Sequence, residues 1–232
     1  MSPARVPVIA IDGPSGSGKG TISRRLAKHL AWHLLDSGAL YRLVALAAAR
    51  RRIAPDNLER LAEVARTLTV TFGPRDGRER VFLEGAEVTD ELRTEESGAA
   101  ASRVAAIPAV REALLSRQRA FAQPPGLVAD GRDMGTVVFP EAVLKVFLTA
   151  GPEERTRRRY KQLKEKGIDV SLPDLSWDIV QRDTRDASRP VSPLRPAADA
   201  RVIDSTSLSP EEVIARILIW LEGAGVKPES RA

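Results

Sequence analysis

The chain has 232 residues, with 36 Lys and Arg against 31 Asp and Glu and a formal net charge of +5 when histidine is neutral. Its 43% hydrophobic and 29% charged residues are those of a folded globular protein, which excludes collagen-like, low-complexity and intrinsically disordered chains. The absence of cysteine rules out disulfides, thiolate metal sites and cysteine nucleophiles, and two histidines, His29 and His33, are too few for a histidine-built metal cage.

In chain order, the apolar, β-branched stretch 6–11 reads as a strand that ends in a glycine-rich loop. Ile22, Leu26, Ala27 and Leu30 then recur at helical spacing. The first stretch is too short for a signal-peptide core, and the longest apolar run, 43–49, falls far below the roughly 18 to 20 residues that span a bilayer. A cytosolic protein with no membrane partner is expected. A second helical pattern follows Gly38, and a third covers 57–66 behind Pro55 and Asp56, which read as a cap pair. The period then shifts to alternation over 67–72 and 80–84, with a turn at 74–77, predicting a small antiparallel excursion. Helical spacing returns over 93–106 and 108–121. Short apolar strands are expected at 127–129, 144–148 and 201–203. Between the last two lie a very basic helix, 152–165, and another charged helix, 174–188. Ser209 and Glu212 form a capping-box pair before a final amphipathic helix. Trp32, Trp177 and Trp220 lie in helical patterns and read as packing residues. His29 and His33, four apart on such a pattern, have no third ligand in sight. Strands alternating with helices imply an α/β fold with a parallel sheet covered on both faces and the β excursion as an insert.

The basic excess raises the possibility of an anionic partner, whether nucleic acid, membrane or a small phosphorylated molecule. Five Phe, three Trp and two Tyr are a poor supply for base-stacking platforms, so the small molecule gains weight. The run Gly13, Pro14, Ser15, Gly16, Ser17, Gly18, Lys19, Gly20, Thr21 stands directly after the first strand and opens the first helix, the context a phosphate-binding loop requires. Its glycines let backbone N–H groups form an anion nest, the helix N-terminus adds positive potential, and Lys19 is placed to reach the β and γ phosphates of a nucleotide. The strict pattern fails at Gly20, which puts the hydroxyl one place later at Thr21; nucleoside monophosphate kinases show this Gly-Lys-Gly-Thr variant. Asp130 ends a buried strand at the sheet edge where α/β proteins bind ligands. It can hold Mg²⁺ through water with Thr21 as partner, or act as a helix cap. Arg42 and Arg132, read as lying on loops after strand ends, are candidates to clamp an acceptor phosphate. Arg182, Asp186 and Arg189 share a stripe that is either a salt-bridged exposed face or a site in which Arg189 meets phosphate and Arg182 and Asp186 hold a sugar hydroxyl. On the basic helix, Arg155, Arg158 and Arg159 form one face, read as a nucleic-acid or membrane patch in isolation and better as a cationic lid over a transferring phosphoryl group.

Four blocks resemble the bacterial cytidylate kinase family over nearly the whole chain: 9–16, 36–42, 129–140, and 182–186 with Arg189. The resemblance implies the P-loop kinase fold, with a five-stranded parallel sheet flanked by helices, a lid and an inserted monophosphate-binding subdomain holding a small antiparallel sheet. It implies one kinase domain with a core of 1–36, 122–150 and 200–225, an acceptor region of 37–121 and a lid of 151–190. The implied reaction moves the γ-phosphoryl group of ATP to CMP and dCMP, with Mg²⁺, in a cytoplasmic monomer that needs no nucleic acid. Lys19, Arg132, Arg158 and Arg189 are implied as catalytic. The loop 13–21 with Arg158 and Arg159 is implied to bind ATP. Ser37, Arg42, Ser102, Arg111, Arg132, Asp133, Arg182, Asp186 and Arg189 are implied to bind the acceptor, with Ser102, Arg111 and Asp133 reading the base. Thr21 and Asp130 are implied to serve the metal. A kinase of UMP, AMP or shikimate is the nearest alternative; a nucleic-acid-dependent P-loop ATPase is the more distant one. No guanine-reading Asn-Lys-x-Asp run occurs.

Overall fold

The computed structural model describes residues 6–75, 78–165 and 167–226. The elements begin with β1 (Val8–Asp12), α1 (Lys19–Leu30), β2 (His33–Asp36), α2 (Ser37–Arg50) and α3 (Leu58–Arg66). There follow β3 (Val70–Arg75), β4 (Arg78–Leu83), β5 (Ala86–Glu87), α4 (Glu95–Val104) and α5 (Pro108–Arg119). The chain continues with β6 (Leu127–Gly131), a single π-helical turn at Met134–Val138, β7 (Leu144–Thr149), α6 (Pro152–Glu165), α7 (Leu172–Ala187), β8 (Arg201–Asp204) and α8 (Pro210–Gly223). Residues up to 36 and from 118 onward form one compact unit, and residues 37–117 form a second.

The first unit holds a five-stranded parallel sheet in the order β2-β6-β1-β7-β8. Both β1 and β6 are buried along their whole length, which explains why they read as continuous apolar runs rather than alternating ones. Ile9, Ile11, Val146 and Leu148 on the sheet pack against Ile22 and Leu26 of α1 and Val213, Ile217 and Leu221 of α8. Because every strand points the same way, Asp36, Asp130, Asp12, Thr149 and Asp204 all arrive at one edge. The connection from β1 leads toward β2, whereas β7 and β8 lie on its other side, so this edge is a topological switch point and the expected place for a ligand. Apart from this sheet, α6 and α7 pair around a small cluster of Leu163, Leu175 and Ile179 with Tyr160 and Val170.

The second unit carries the antiparallel sheet β3-β4-β5 beside helices α2 to α5. The excursion is thus present, although the expected turn at 74–77 reaches Asp76 and Gly77, which lie outside the described residues. Strand β5 had no alternation to announce it.

Several expectations need correction. His33 is not on a helix. The first helix stops at Leu30, Ala31 takes a left-handed φ of 54°, and His33 opens β2, with its Nε2 3.0 Å from the Pro124 carbonyl. The spacing to His29 was therefore coincidental, and β2 was hidden because only one of its four residues is buried. Trp32 sits in the turn and packs on the core, where its ring lies so close to Gly126 that a Cβ there would come within 2.3 Å. Trp177 is 65% exposed and is not a packing residue. The cap of α3 is Asn57, whose side chain accepts from the Arg60 N–H at 3.1 Å, not Pro55 and Asp56. Arg42 lies within α2, since β2 runs into that helix without a loop, and Arg189 lies just past the end of α7. The Ser209–Glu212 capping box forms as expected, with bonds of 2.8 and 3.2 Å.

Leu26 is fully enclosed between the sheet and α8. Leu26→Ala should cost about 2–5 kcal/mol in urea unfolding with an unchanged m-value.

Candidate active site

The loop between β1 and α1 is shaped by close approaches that only glycine permits. A Cβ at Gly13 would lie 2.0 Å from the Leu148 carbonyl oxygen, and Gly16, at φ 77°, would meet the Cβ of Arg155 at 2.9 Å. Helix α1 then begins with Gly18 as its cap, which offers no side-chain acceptor, and has no acidic residue in its first turn. The positive end of the helix is left for an external anion. Lys19 is buried, with its ammonium donating to the Pro14 carbonyl at 2.9 Å. Burial chiefly, then Arg132 and Arg182, loosens its hold on its proton, while Asp130 and Asp186 oppose that shift.

Asp130 stands beside Asp36 in the β2–β6 register, buried at the strand end. Burial raises its carboxyl above the usual range, Lys19 pulls it back, and Asp36 adds to the rise. A Cβ on Gly20 would sit 3.3 Å from Asp130 Oδ2, so the missing side chain after Lys19 keeps this carboxylate close to the start of α1. A hard cation fits here: Asp130 is an oxygen donor in a short reach of the Thr21 segment, and substrate phosphates and water supply the rest of the shell that Mg²⁺ ordinarily takes. Among the described residues no cluster of three or more metal-binding side chains occurs.

The loop after β6 and the α7 end form a buried charge cluster. Asp186, only 1% exposed, accepts from Arg132 Nε at 2.9 Å and from Arg189. Burial works against its charge, yet Arg132, Arg189 and Arg182 outweigh it and hold the carboxyl below its ordinary 3.8. Asp12, at the end of β1, accepts from the N–H groups of Met134 and Gly135, each at 2.8 Å. Burial pushes its carboxyl up to about 7 in spite of those two bonds.

Helices α6 and α7 strap this loop. Arg155 donates to the carbonyls of Ala150 and Ser15, both at 3.0 Å, and pairs with Asp183, whose other oxygen faces the Ser15 N–H at 3.4 Å. Arg158 donates to the Ser17 carbonyl at 3.3 Å, to the Ser205 hydroxyl at 3.0 Å and to its carbonyl at 2.5 Å. Arg182 lies 3.4 Å from the Ser15 hydroxyl. Arg159 donates to Gln162 on its own helix.

In the second unit Ser37 opens α2, buried, and Arg42 donates to the Leu92 carbonyl at 3.0 Å. Ser102 on α4 and Arg111 on α5 are buried; Arg111 donates to the Ala105 carbonyl at 3.2 Å and lies over the Tyr41 ring at 5.7 Å.

The sequence profile of cytidylate kinase matches residues 9–222. The chain belongs to the cytidylate kinase family. Cytidylate kinase of Nitrosococcus oceani is 58% identical over 220 residues, covering 94% of this chain and 97% of its own. Two from Pseudomonas fluorescens strains are 61% and 62% identical, each over 216 residues covering 92% of this chain and 94% of theirs.

Within the first unit, the loop 13–21 is gathered with Asp130, Arg132, Arg158, Arg182, Asp186 and Arg189, and Asp133 is buried just before the π-helical turn. Ser37, Arg42, Ser102 and Arg111 are carried by the second unit. Sequence reasoning gave no role to Asp12, Asp183 or Ser205. For Asp12 a signal existed, a carboxylate ending a fully apolar strand. Ser205 had none, since its part in holding Arg158 arises only from the crossing of β8 past the loop.

Asp186→Asn would leave two buried guanidinium groups facing a neutral amide, and should destabilise the protein by about 3–5 kcal/mol at pH 7. Since the folded carboxyl is depressed, its contribution is present above the unfolded value near 4 and is lost as pH falls through the folded one. Urea titrations should therefore show the gap between wild type and variant closing as the medium is acidified below about pH 4.

Proposed function

We propose that this protein transfers the γ-phosphoryl group of Mg·ATP to CMP and dCMP, giving the diphosphates and ADP, and that the residues gathered above do so by position and charge. The observation that carries the reading is the buried Lys19 on a glycine loop at an open helix N-terminus, with Asp130 drawn close by Gly20. The loop 13–21 cradles the donor phosphates, with Arg158 and Arg159 of α6 as further donor contacts. Thr21 and Asp130 hold Mg²⁺, which supplies charge neutralisation between donor phosphates. Lys19, Arg132, Arg158 and Arg189 stabilise the charge that spreads over the equatorial oxygens during in-line transfer, and no side chain becomes phosphorylated.

For the acceptor, Arg132 and Arg189 take the monophosphate together with Ser37 and Arg42, and Arg182 with Asp186 holds the sugar. Ser102, Arg111 and Asp133 read cytosine: its O2 and N3 accept while its amino group donates, which calls for a guanidinium and hydroxyl on one side and a carboxylate on the other. Region 37–121 is the acceptor region and 151–190 the lid, whose arginines lie along α6. Among the described residues no helix is long and apolar enough to cross a membrane. With small nucleotides as substrates, the reading takes the protein as a cytoplasmic monomer that acts without nucleic acid.

A coupled assay over CMP, dCMP, UMP and AMP with ATP as donor tests the activity; turnover confined to AMP or UMP, or dependent on added DNA or RNA, would overturn it. Lys19→Ala should lower turnover by at least about a hundredfold in a folded protein. Uracil presents an acceptor at position 4 and a donor at N3, so it mismatches two buried polar contacts. Replacing Ser102, Arg111 or Asp133 by Ala should then reduce kcat/KM for CMP more than for UMP. Equal losses on both substrates would mean that these side chains only shape the pocket.

A further inference from the structure

We propose that Asp12 is a positioning residue for the acceptor, acting by clamping the turn that carries Arg132 and Asp133. Its backbone leads directly into Gly13 of the loop 13–21, while its side chain turns to the segment after β6. Both of its carboxylate oxygens are used, one on the Met134 N–H and one on the Gly135 N–H, each at 2.8 Å. These are consecutive donors at the start of the π-helical turn, and the residue immediately before them is Asp133, held at φ −145° and ψ 24°. A carboxylate aimed at two successive amides fixes the direction of that peptide, and with it the exit of the chain from β6.

Packing on the turn leaves it little room to adjust. Met134 is fully buried and folds back over Gly131, where a Cβ would meet its side chain at 2.8 Å, and a Cβ on Gly135 would press on the Lys145 side chain at 3.2 Å. Arg132 lies between Gly131 and Asp133. Its guanidinium must project so that Nε reaches Asp186 at 2.9 Å while Nη1 stays 3.3 Å from the Gly131 carbonyl. The clamp is thus one bracket on this short segment and the Asp186 pair is the other. An amide at position 12 offers one acceptor and turns an N–H₂ toward the second backbone N–H, so it cannot close the bracket although its volume is the same.

This inference rests on the reading of Arg132 and Asp133 as acceptor contacts. The test compares Asp12→Asn with Arg132→Ala in steady-state kinetics, varying CMP and ATP separately, alongside thermal melting with and without CMP. Asp12→Asn is expected to raise KM for CMP by about tenfold or more and to shrink the CMP-induced rise in melting temperature, while KM for ATP moves less than about threefold. Unchanged kinetics in Asp12→Asn with an impaired Arg132→Ala would overturn the clamp and leave the acceptor reading standing. Unchanged kinetics in Arg132→Ala would instead remove the acceptor reading itself. Parallel loss toward both substrates with a lower melting temperature would make Asp12 a stabilising residue only. Should Asp12→Asn not fold, amide hydrogen exchange on the wild-type protein decides. Slow exchange at Met134 and Gly135 upholds the clamp, and exchange as fast as in exposed loops overturns it.

Discussion

The carboxyl edge of the parallel sheet is organised around one electrostatic constraint: several cations are held together in a place largely closed to water. Lys19 is buried, Arg132 and Arg182 push on its charge, and only Asp130 and Asp186 offset them. Those carboxylates favour the charged ammonium against burial and the neighbouring guanidinium groups. On the proposed reading the acids are therefore part of the phosphate-binding apparatus even though they repel phosphate. Asp186 satisfies Arg132 and Arg189 together, so each guanidinium is pre-aimed before any substrate contributes its own negative charge.

This constraint explains details of backbone and sequence that are otherwise arbitrary. Gly20 stands where P-loop proteins commonly place the hydroxyl residue, and the space it leaves is occupied by Asp130 Oδ2. Moving the hydroxyl to Thr21 and shrinking the preceding residue are one change, seen once from the helix and once from the strand. The parallel arrangement serves the same end. Only when β1 and β6 run side by side in the same direction do Asp12 and Asp130 end at a common edge, one turned to the backbone of the π-helical turn and the other to the start of α1.

Most of this architecture is legible in the sequence because the strongest signals are local. A β-branched run, a glycine loop and a helical period can each be read within about a dozen residues, and the buried strands β1 and β6 and the half-buried β7 announce themselves by composition. Strand β2 escaped because three of its four residues are not buried, so nothing in His33 to Asp36 distinguishes an edge strand from the end of a helix. Arg182 shows a different limit. Its stripe with Asp186 was visible, but not that it points toward Ser15, because that depends on where α7 lies against a loop some 167 positions earlier. The pairing of Arg158 with Ser205 is hidden for the same reason, and so is the exposure of Trp177, which only the packing of α6 on α7 determines.

The arginines of α6 clarify how such a site accepts its substrate. Arg155 donates to the Ser15 carbonyl and pairs with Asp183, and Arg158 donates to Ser17 and Ser205 and pairs with Glu154 on its own helix. On the proposed reading a phosphate oxygen, a charged acceptor with hydrogen bonds roughly twice as strong as a carbonyl's, would replace the carbonyl contacts, while the two carboxylates keep each guanidinium paired beforehand. On that reading α6 and α7 would have to yield. Their shared cluster has Leu163, Leu175 and Ile179 as its buried members, against the much larger set that fixes α1 and α8 to the sheet. Less buried apolar surface means a lower local opening cost. The helix pair of the proposed lid thus shares a smaller buried cluster than the helices on the sheet, while Lys19 and Asp130 stand on elements the main core holds.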